Sequence, residues 1–242
     1  MRVLLIGHGR MGQMLEECIA ASEDLTLAGA VNSKNIDTLA ALGNVADVAI
    51  DFSSPAVLPQ VAEFVRRTGT PLVSGTTGYA EEQAAELRDL GTAAPVLYSA
   101  NYALGVAVMA RALRQVAAVL KDFDIEVVET HHNQKADAPS GTAKLLVDAV
   151  DPEHHLTPVY GRQGFCGRRG KTEIGIHAIR GGTVAGEHTV SFFGEDEVLE
   201  LTHKAASRRI FANGALHAAR ALAKLPKGYY TLDQILFENE AE

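Results

Sequence analysis

The chain has 242 residues, of which 47% are hydrophobic and 21% are charged, and its formal net charge is −8. This length fits one large domain or two small ones, and the composition is typical of a globular protein. The negative charge argues against general nucleic-acid binding, and no apolar stretch is long enough to predict a membrane span.

The N-terminal apolar run is too short for a signal peptide, and glycines follow it at once. We therefore expect a cytoplasmic protein whose chain begins with a β-strand. The two cysteines, Cys18 and Cys166, do not suggest a disulfide framework. Neither has neighbours at metal-ligand spacing, so no metal site is expected.

Short apolar runs alternate with helical patterns over the first hundred residues. They predict strands at 3–6, 25–31, 48–52, 72–74 and 96–98, and helices at 11–21, 55–67 and 80–90. Alternating strands and helices with short loops are typical of a parallel sheet with right-handed crossovers. The predicted fold class is α/β, with a Rossmann-type domain first.

The pattern changes after Asn101. The next predicted elements are a long apolar helix at 104–120, an alternating strand at 125–130 and a short helix after Pro139. Three strands, at 173–180, 188–193 and 198–203, then follow without helices between them. This succession predicts a second, α+β domain with a mixed or antiparallel sheet. Two final helices, at 211–225 and 232–237, could pack on either domain.

A phosphate-binding motif follows the first predicted strand. Gly7, His8, Gly9, Arg10, Met11 and Gly12 match the pattern G-x-G-x-x-G. The first glycine permits a tight turn, the second lets the backbone approach a pyrophosphate, and the third lets the helix pack closely on the strand. The helix N-terminus adds unpaired N–H groups and a partial positive charge. The motif predicts dinucleotide binding.

The choice of coenzyme depends on the end of the second strand. NAD-specific folds usually carry an acidic residue there, about twenty residues after the glycines, to bind the ribose hydroxyl. This chain has Ser33 and Lys34 instead. They suit a 2′-phosphate, with Arg10 as a second cation, although Lys34 is equally compatible with a solvated loop lysine.

A second cluster of polar residues follows the strand at 125–130. The strand leads into His131 and His132, Lys135 follows, and Pro139 is predicted to open a helix. The helix start would then expose the backbone N–H groups of Ser140, Gly141 and Thr142 to an anion. Histidine exchanges protons near neutral pH, and lysine supplies a positive charge. Together they indicate a site for an anionic substrate that is protonated during reaction.

Other interpretations of this cluster remain open. Adjacent residues on a strand point to opposite faces, so only one of His131 and His132 needs to be catalytic. A zinc site would lack a third ligand at suitable spacing. Asp137 could cap the helix instead of acting as a base. The pair His154 and His155 lies in a polar loop and is expected to be solvated.

The stretch from His131 to Ala143 resembles the H-H-x-x-K-x-D-A-P-S-G-T-A motif of the dihydrodipicolinate reductase family. Further similarity is distributed over nearly the whole chain, at residues 7–12, 51–53, 75–79, 99–102, 167–172, 186–189 and 211–215. Compared with enterobacterial members, this chain is shorter around residues 32–47. The acidic coenzyme-selecting position is replaced there, which puts a preference for NADH in doubt.

The resemblance implies reduction of 4-hydroxy-tetrahydrodipicolinate by NADPH or NADH, with His131 and Lys135 as proton donors. It implies substrate binding by His132, Lys135, Ser140, Gly141 and Thr142. The implied cofactor residues are Gly7 to Gly12, Ser33, Lys34, Gly75, Thr76, Thr77, Ser99, Ala100, Asn101 and Tyr102. It also implies a homotetramer, a cofactor domain of residues 1–103 and 209–242, and a substrate and oligomerisation domain of residues 104–208.

Two other functions share parts of this pattern. Another Rossmann oxidoreductase, such as an amino-acid dehydrogenase, would share the first hundred residues but does not predict the histidine–lysine cluster. A non-catalytic dinucleotide sensor would not need basic residues beside an anion-binding helix start. An assay of nicotinamide oxidation separates the three.

Overall fold

The computed structural model describes residues 1–238. Internal contacts divide the chain into two compact units. The first comprises residues 1–103 together with the chain from Arg209 onward, and the second comprises Leu104–Arg208. Among the described residues, no helix combines the length and apolar character needed to cross a bilayer.

The first unit is built on a six-stranded sheet in which every pair of neighbours is parallel. Its strands are β1 (Arg2–Ile6), β2 (Thr26–Val31), β3 (Val48–Asp51), β4 (Leu72–Ser74), β5 (Pro95–Tyr98) and β11 (Gly228–Tyr230). Its helices are α1 (Arg10–Ala20), α2 (Leu58–Thr68), α3 (Glu81–Asp89), α6 (Arg209–Leu222) and α7 (Leu232–Phe237), with 3₁₀ turns at Ile36–Ala40, Pro55–Val57 and Leu90–Thr92. The predicted Rossmann-type fold is confirmed.

The strand order of this sheet is β11-β5-β4-β3-β1-β2. The chain moves to one side of β1 to form β2 and to the other side to form β3, so the order reverses at β1. A crevice opens at such a reversal, beyond the carboxyl ends of the strands. The apolar side chains of β1 and β3 are almost fully buried, as expected of parallel strands covered on both faces.

The second unit contains a five-stranded mixed sheet, in the order β10-β9-β6-β8-β7. The strands are β6 (Asp124–His131), β7 (Thr157–Val159), β8 (Glu173–Arg180), β9 (Gly186–Phe193) and β10 (Val198–Ala205), and the helices are α4 (Leu104–Val119) and α5 (Gly141–Val150). Strand β9 is antiparallel to β6 and β10, whereas β6, β7 and β8 are mutually parallel. The prediction of a mixed sheet is confirmed.

The two faces of this sheet differ in burial. Along β6, alternate residues from Ile125 to His131 are buried, and α5 contacts β6 and β9. On the opposite face Ile179, Phe193 and Val198 are 50%, 41% and 53% exposed. Because side chains alternate along a strand, these apolar residues lie on the face of the sheet that α5 does not cover, and this face is open to solvent.

Three local predictions differ from the structure. The helix after Pro139 begins at Gly141, with Ser140 as its N-cap. Serine is a strong N-cap, and its Oγ accepts the N–H of Ala143, so Pro139 lies before the helix and not in its first turn. Strands β7 and β11 were not predicted because each has three residues that include a proline or a glycine, which are depleted in strands. Strand β7 lies at a sheet edge, where a proline is tolerated.

Candidate active site

The glycines after β1 give this loop its shape. Gly7 has a φ of +91°, and a Cβ there would collide with the carbonyl oxygen of Phe52. A Cβ on Gly12 would collide with the carbonyl oxygen of Gly7, so α1 packs directly on the turn. No atom lies within 4 Å of the position of a Cβ on Gly9. The backbone at Gly9 is therefore open to a ligand.

Two clefts lie at the carboxyl edge of the first sheet. One, of about 450 Å³, is lined by Gly9, Arg10, Met11, Phe52, Ser53, Gly75, Thr76, Thr77, Ala100, Tyr102 and Phe211. The other, of about 370 Å³, is lined by Gly7, His8, Gly9, Asn32, Ser33, Ile36, Phe52, Ser53, Ser54 and Val57. Among the predicted cofactor residues, those outside both linings are Gly12, Lys34, Ser99 and Asn101. The clefts share Gly9, Phe52 and Ser53 and therefore adjoin each other.

The loop after β2 is shaped by asparagine side chains. Asn32 accepts the N–H of Lys34 at 2.9 Å, and Asn35 accepts the N–H of Asn32 at 2.7 Å. Such side-chain hydrogen bonds replace a backbone turn. Ser33 lines a cleft, whereas Lys34 is exposed.

A buried carboxyl group connects two loops of the first unit. Asp51 is 1% exposed and accepts hydrogen bonds from Ser53, Thr76 and Tyr79. Burial raises the pKa of Asp51 despite these hydrogen bonds. Because Ser53 and Thr76 both line the larger cleft, Asp51 fixes the spacing of two cleft walls.

His131 ends β6 in a buried position and is oriented by a carboxylate. Its Nδ1 lies 2.6 Å from Oε2 of Glu129, which is fully buried. A carboxylate can only accept, so the proton of this pair is on Nδ1 and Nε2 is the nitrogen that exchanges a proton. Glu129 was not predicted as a site residue, although the strand period of two places it on the same face as His131.

Glu129 is held ionised by its partners. Arg180 donates from both terminal nitrogens to the two carboxylate oxygens, at 2.7 and 2.8 Å, and the N–H of Ser140 donates to Oε1 at 3.0 Å. Burial raises the pKa of Glu129, but the hydrogen bonds from Arg180, His131 and Ser140 outweigh it and hold the pKa below its usual value. The ionised carboxylate therefore accepts the hydrogen bond from Nδ1 of His131.

His132 directly follows β6, and its surroundings lower its pKa. Arg208 lies 3.2 Å from Nε2 of His132. Since a guanidinium only donates, Nε2 accepts and the proton of His132 is on Nδ1. Burial lowers the pKa of His132, and the charge of Arg208 lowers it further. Nδ1 is buried and has no hydrogen-bond partner among residues 1–238.

Lys135 pairs with Asp137 across 2.7 Å. Lys135 lowers the pKa of Asp137, so this acid stays ionised. The interpretation of Asp137 as a helix cap is wrong, because Ser140 occupies that position. The side chain of Lys135 is 19% exposed and keeps two of its three donor hydrogens for other acceptors.

The start of α5 differs in part from the predicted anion site. The N–H of Ser140 donates to Glu129, so it cannot also bind a substrate carboxylate. Gly141 and Thr142 are the first two residues of the helix, and Gly141 opens it, where a backbone N–H has no acceptor within the helix itself. No atom lies within 4 Å of the position of a Cβ on Gly141, which leaves room for an anion.

The second unit thus brings together the predicted residues His131, His132 and Lys135 and the start of α5. Three further residues for which no role was predicted lie beside them, namely Glu129, Arg180 and Arg208. Strand alternation could have identified Glu129. Arg180 meets Glu129 only because β8 pairs with β6 in a parallel register that sets His131 opposite Arg180. Local sequence patterns do not predict that register.

Comparison with protein families gives two matches that together cover most of the chain. The dihydrodipicolinate reductase N-terminal model matches residues 1–102, and the C-terminal model matches residues 105–236. The 4-hydroxy-tetrahydrodipicolinate reductase of Exiguobacterium sp. AT1b is 42% identical over 241 residues, covering 98% of this chain and 96% of its own. That of Staphylococcus haemolyticus is 42% identical over 244 residues, covering 97% and 100%.

Solved structures show the same fold. A dipicolinate-bound dihydrodipicolinate reductase from Paenisporosarcina sp. TG-14 has a TM-score of 0.79 at 22% identity, covering 97% of this chain and 99% of its own. A DAP dehydrogenase of C. glutamicum in complex with DAP has a TM-score of 0.57 at 15% identity, covering 97% and 93%. At these identities the likeness concerns the fold alone.

Proposed function

Because this chain belongs to the dihydrodipicolinate reductase family, we propose that it reduces 4-hydroxy-tetrahydrodipicolinate to tetrahydrodipicolinate and water. The electron donor is NADPH or NADH, and the reaction serves diaminopimelate and lysine synthesis. The observation that carries the proposal is the buried Glu129–His131 pair beside the open helix start at Gly141. This combination suits a dianionic substrate that needs a proton. The family's biosynthetic role favours the cytoplasm as its location.

The first unit is the proposed cofactor domain. Its clefts fit a dinucleotide, since they adjoin at Gly9 and lie where the strand order reverses. The backbone at Gly9 and the N-terminus of α1 would hold the pyrophosphate. Thr76, Thr77 and Ala100 would line the nicotinamide half, and Ser33 the adenosine half. The bound nicotinamide supplies the hydride.

The second unit is the proposed substrate domain. His132, the ammonium of Lys135 and the helix start at Gly141 and Thr142 would bind the carboxylates of a small cyclic dicarboxylate. A dianion must regain interactions that offset its lost hydration, and these donors supply them. The related structure from Paenisporosarcina sp. TG-14 is described as dipicolinate-bound, and dipicolinate is a planar molecule of this class.

Proton transfer is assigned to His131. Loss of water from the substrate gives a conjugated imine, and hydride addition at ring carbon C4 moves an electron pair toward the ring nitrogen. When both ring nitrogens carry a proton, His131 releases the proton on Nε2, and its Nδ1–H stays hydrogen-bonded to Glu129. Glu129 orients the ring, and Lys135 stabilises developing negative charge or acts as a second donor.

A spectrophotometric assay of NADPH oxidation tests the proposal, with the substrate generated in the cuvette from its biosynthetic precursors. Oxidation should depend on the complete mixture. An amino-acid dehydrogenase would instead reduce NADP⁺ in the presence of an amino acid. A non-catalytic sensor would bind the nucleotide without turnover, and either result would exclude the proposed reaction.

Coenzyme use is expected to be dual or to favour NADPH, because the position after β2 carries Ser33 and Lys34 in place of an acid. Lys34→Ala should weaken NADPH binding by about two- to fivefold and leave NADH unchanged, since an exposed ion pair contributes roughly 0.5–1 kcal/mol. Titration of each coenzyme by calorimetry measures this. Lys121→Ala, an exposed lysine of the second unit, is the control. Equal losses for both coenzymes would contradict the assignment.

The open sheet face of the second unit supports a homotetramer. Ile179, Phe193 and Val198 expose apolar area on this face, and such patches mark interfaces. Sedimentation at micromolar concentration should show a species larger than a dimer. Phe193→Glu should shift it to smaller species, whereas Val119→Glu on α4, where the residue is 79% exposed, should not. A monomer for the unaltered protein would contradict this assembly.

A further inference from the structure

We propose that His188 is a positioning residue that holds both the proton donor His131 and the helix start that binds the substrate. The inference rests on the proposed function and assigns a role to a buried histidine that takes no part in the proton transfer described above. His188 lies on β9, directly opposite Glu129 of β6, and is 3% exposed.

One contact of His188 is to the cap of α5. Its Nε2 lies 3.1 Å from Oγ of Ser140, which also accepts the N–H of Ala143 at 3.1 Å. The backbone N–H of the same serine donates to Glu129. Ser140 is therefore fixed from two sides, by His188 and by Glu129, and it sets the position of Gly141 and Thr142.

The second contact is to the ring of His131. The two imidazole centroids are 5.1 Å apart with an interplanar angle of 76°, an edge-to-face arrangement. Gly186, with a φ of +154°, leaves space beside both rings. A Cβ there would lie 3.0 Å from Nε2 of His131 and 3.6 Å from Cε1 of His188. His188 therefore packs against the ring whose Nε2 exchanges the proton.

His188 is suited to this role because it is neutral. Burial lowers its pKa to about 4, and the charges of His131, His203 and Lys135 lower it as well, against the opposing effect of Glu129. These groups, from β6, β10 and the loop before α5, surround the ring. A neutral ring adds no positive charge beside His131, and it does not compete as a proton donor.

Two variants separate the two contacts. A glutamine amide reaches about as far as Nε2 of histidine, so His188→Gln keeps the contact to Ser140 and loses the ring packing. It should lower kcat about tenfold and leave dipicolinate affinity within about twofold. A phenylalanine keeps the ring packing and loses the hydrogen bond. His188→Phe should weaken dipicolinate about five- to tenfold and lower kcat by no more than about threefold.

The measurements are kcat by turnover, dipicolinate affinity by calorimetry, and the Nδ1 proton resonance of His131 by NMR. That resonance should stay sharp in His188→Phe and broaden in His188→Gln. His155→Gln is the control, since His155 is an exposed loop residue of the same unit. It should change none of these values.

Identical losses in both variants, or kinetic and binding values unchanged from the unaltered protein, would overturn the role of His188. If His188→Phe does not fold, His188→Gln alone tests the proposal. An unchanged kcat and a sharp His131 resonance in His188→Gln would contradict it. The resonance requires no turnover. An inactive protein with the expected NMR response would therefore count against the reductase function and not against the positioning by His188.

Discussion

Replacing His131 with alanine is expected to lower kcat by roughly 10²–10³-fold, the usual contribution of a general acid. The loss follows from the geometry of the Glu129–His131 pair, which leaves Nε2 as the exchanging nitrogen. Alanine removes that nitrogen and leaves Glu129 with its hydrogen bonds from Arg180 and Ser140. Steady-state turnover at saturating substrate measures the effect.

Two histidine variants serve as comparisons for this result. His132→Ala should act mainly through KM, because His132 is assigned to carboxylate binding. His155→Ala should have no effect, since His155 is an exposed loop residue. If His131→Ala and His132→Ala produced the same kinetic change, the division between proton transfer and binding would be wrong.

The second large effect is expected at the start of α5. Gly141→Val should weaken dipicolinate, which we expect to compete with the substrate, by roughly 10- to 100-fold. This matches the loss of about 1.5–3 kcal/mol from charge-assisted hydrogen bonds. The position of a Cβ on Gly141 is open, so the valine does not strain the protein and instead fills the space assigned to a carboxylate. Inhibition of substrate turnover measures the loss.

Three controls accompany this substitution. Coenzyme affinity, measured by calorimetry, should be nearly unchanged because the clefts lie in the first unit. Thr142→Val should cost only about 1 kcal/mol, the contribution of one hydroxyl contact. Gly43→Val, at another position with no atom within 4 Å of the Cβ, should leave inhibition intact. If Gly141→Val also left inhibition intact, the helix start would have no part in binding.

The first unit could be predicted from sequence because its signals are local. Apolar runs mark β1 and β3, and the glycines at 7, 9 and 12 run from the end of β1 into the first turn of α1. The cleft residues that were not assigned roles, such as Phe52, Ser53 and Phe211, come from separate elements that the tertiary fold brings together. Sequence spacing carries no signal for such an arrangement.

The second unit was predicted less completely because its site depends on strand register and capping. His131, His132 and Lys135 lie within five residues of each other in the sequence, so their cluster could be identified. The ion pair of Glu129 with Arg180 depends on which strands become neighbours, since β8 pairs with β6 and not with β9, the strand that follows it. Pro139 and Ser140 are both helix-start signals, and they predict different first residues. The helix begins after Ser140, because the serine is its N-cap.

Transfer of an isotopic label tests the central claim most directly. The protein is incubated with 4-hydroxy-tetrahydrodipicolinate and NADPH that carries deuterium at the transferable position, and the product is analysed by mass spectrometry and NMR. We expect tetrahydrodipicolinate with deuterium at ring carbon C4, formed in an amount equal to the NADPH oxidised. NADPH that stays reduced, or a product without deuterium, would contradict the assignment of this chain as a reductase of that substrate.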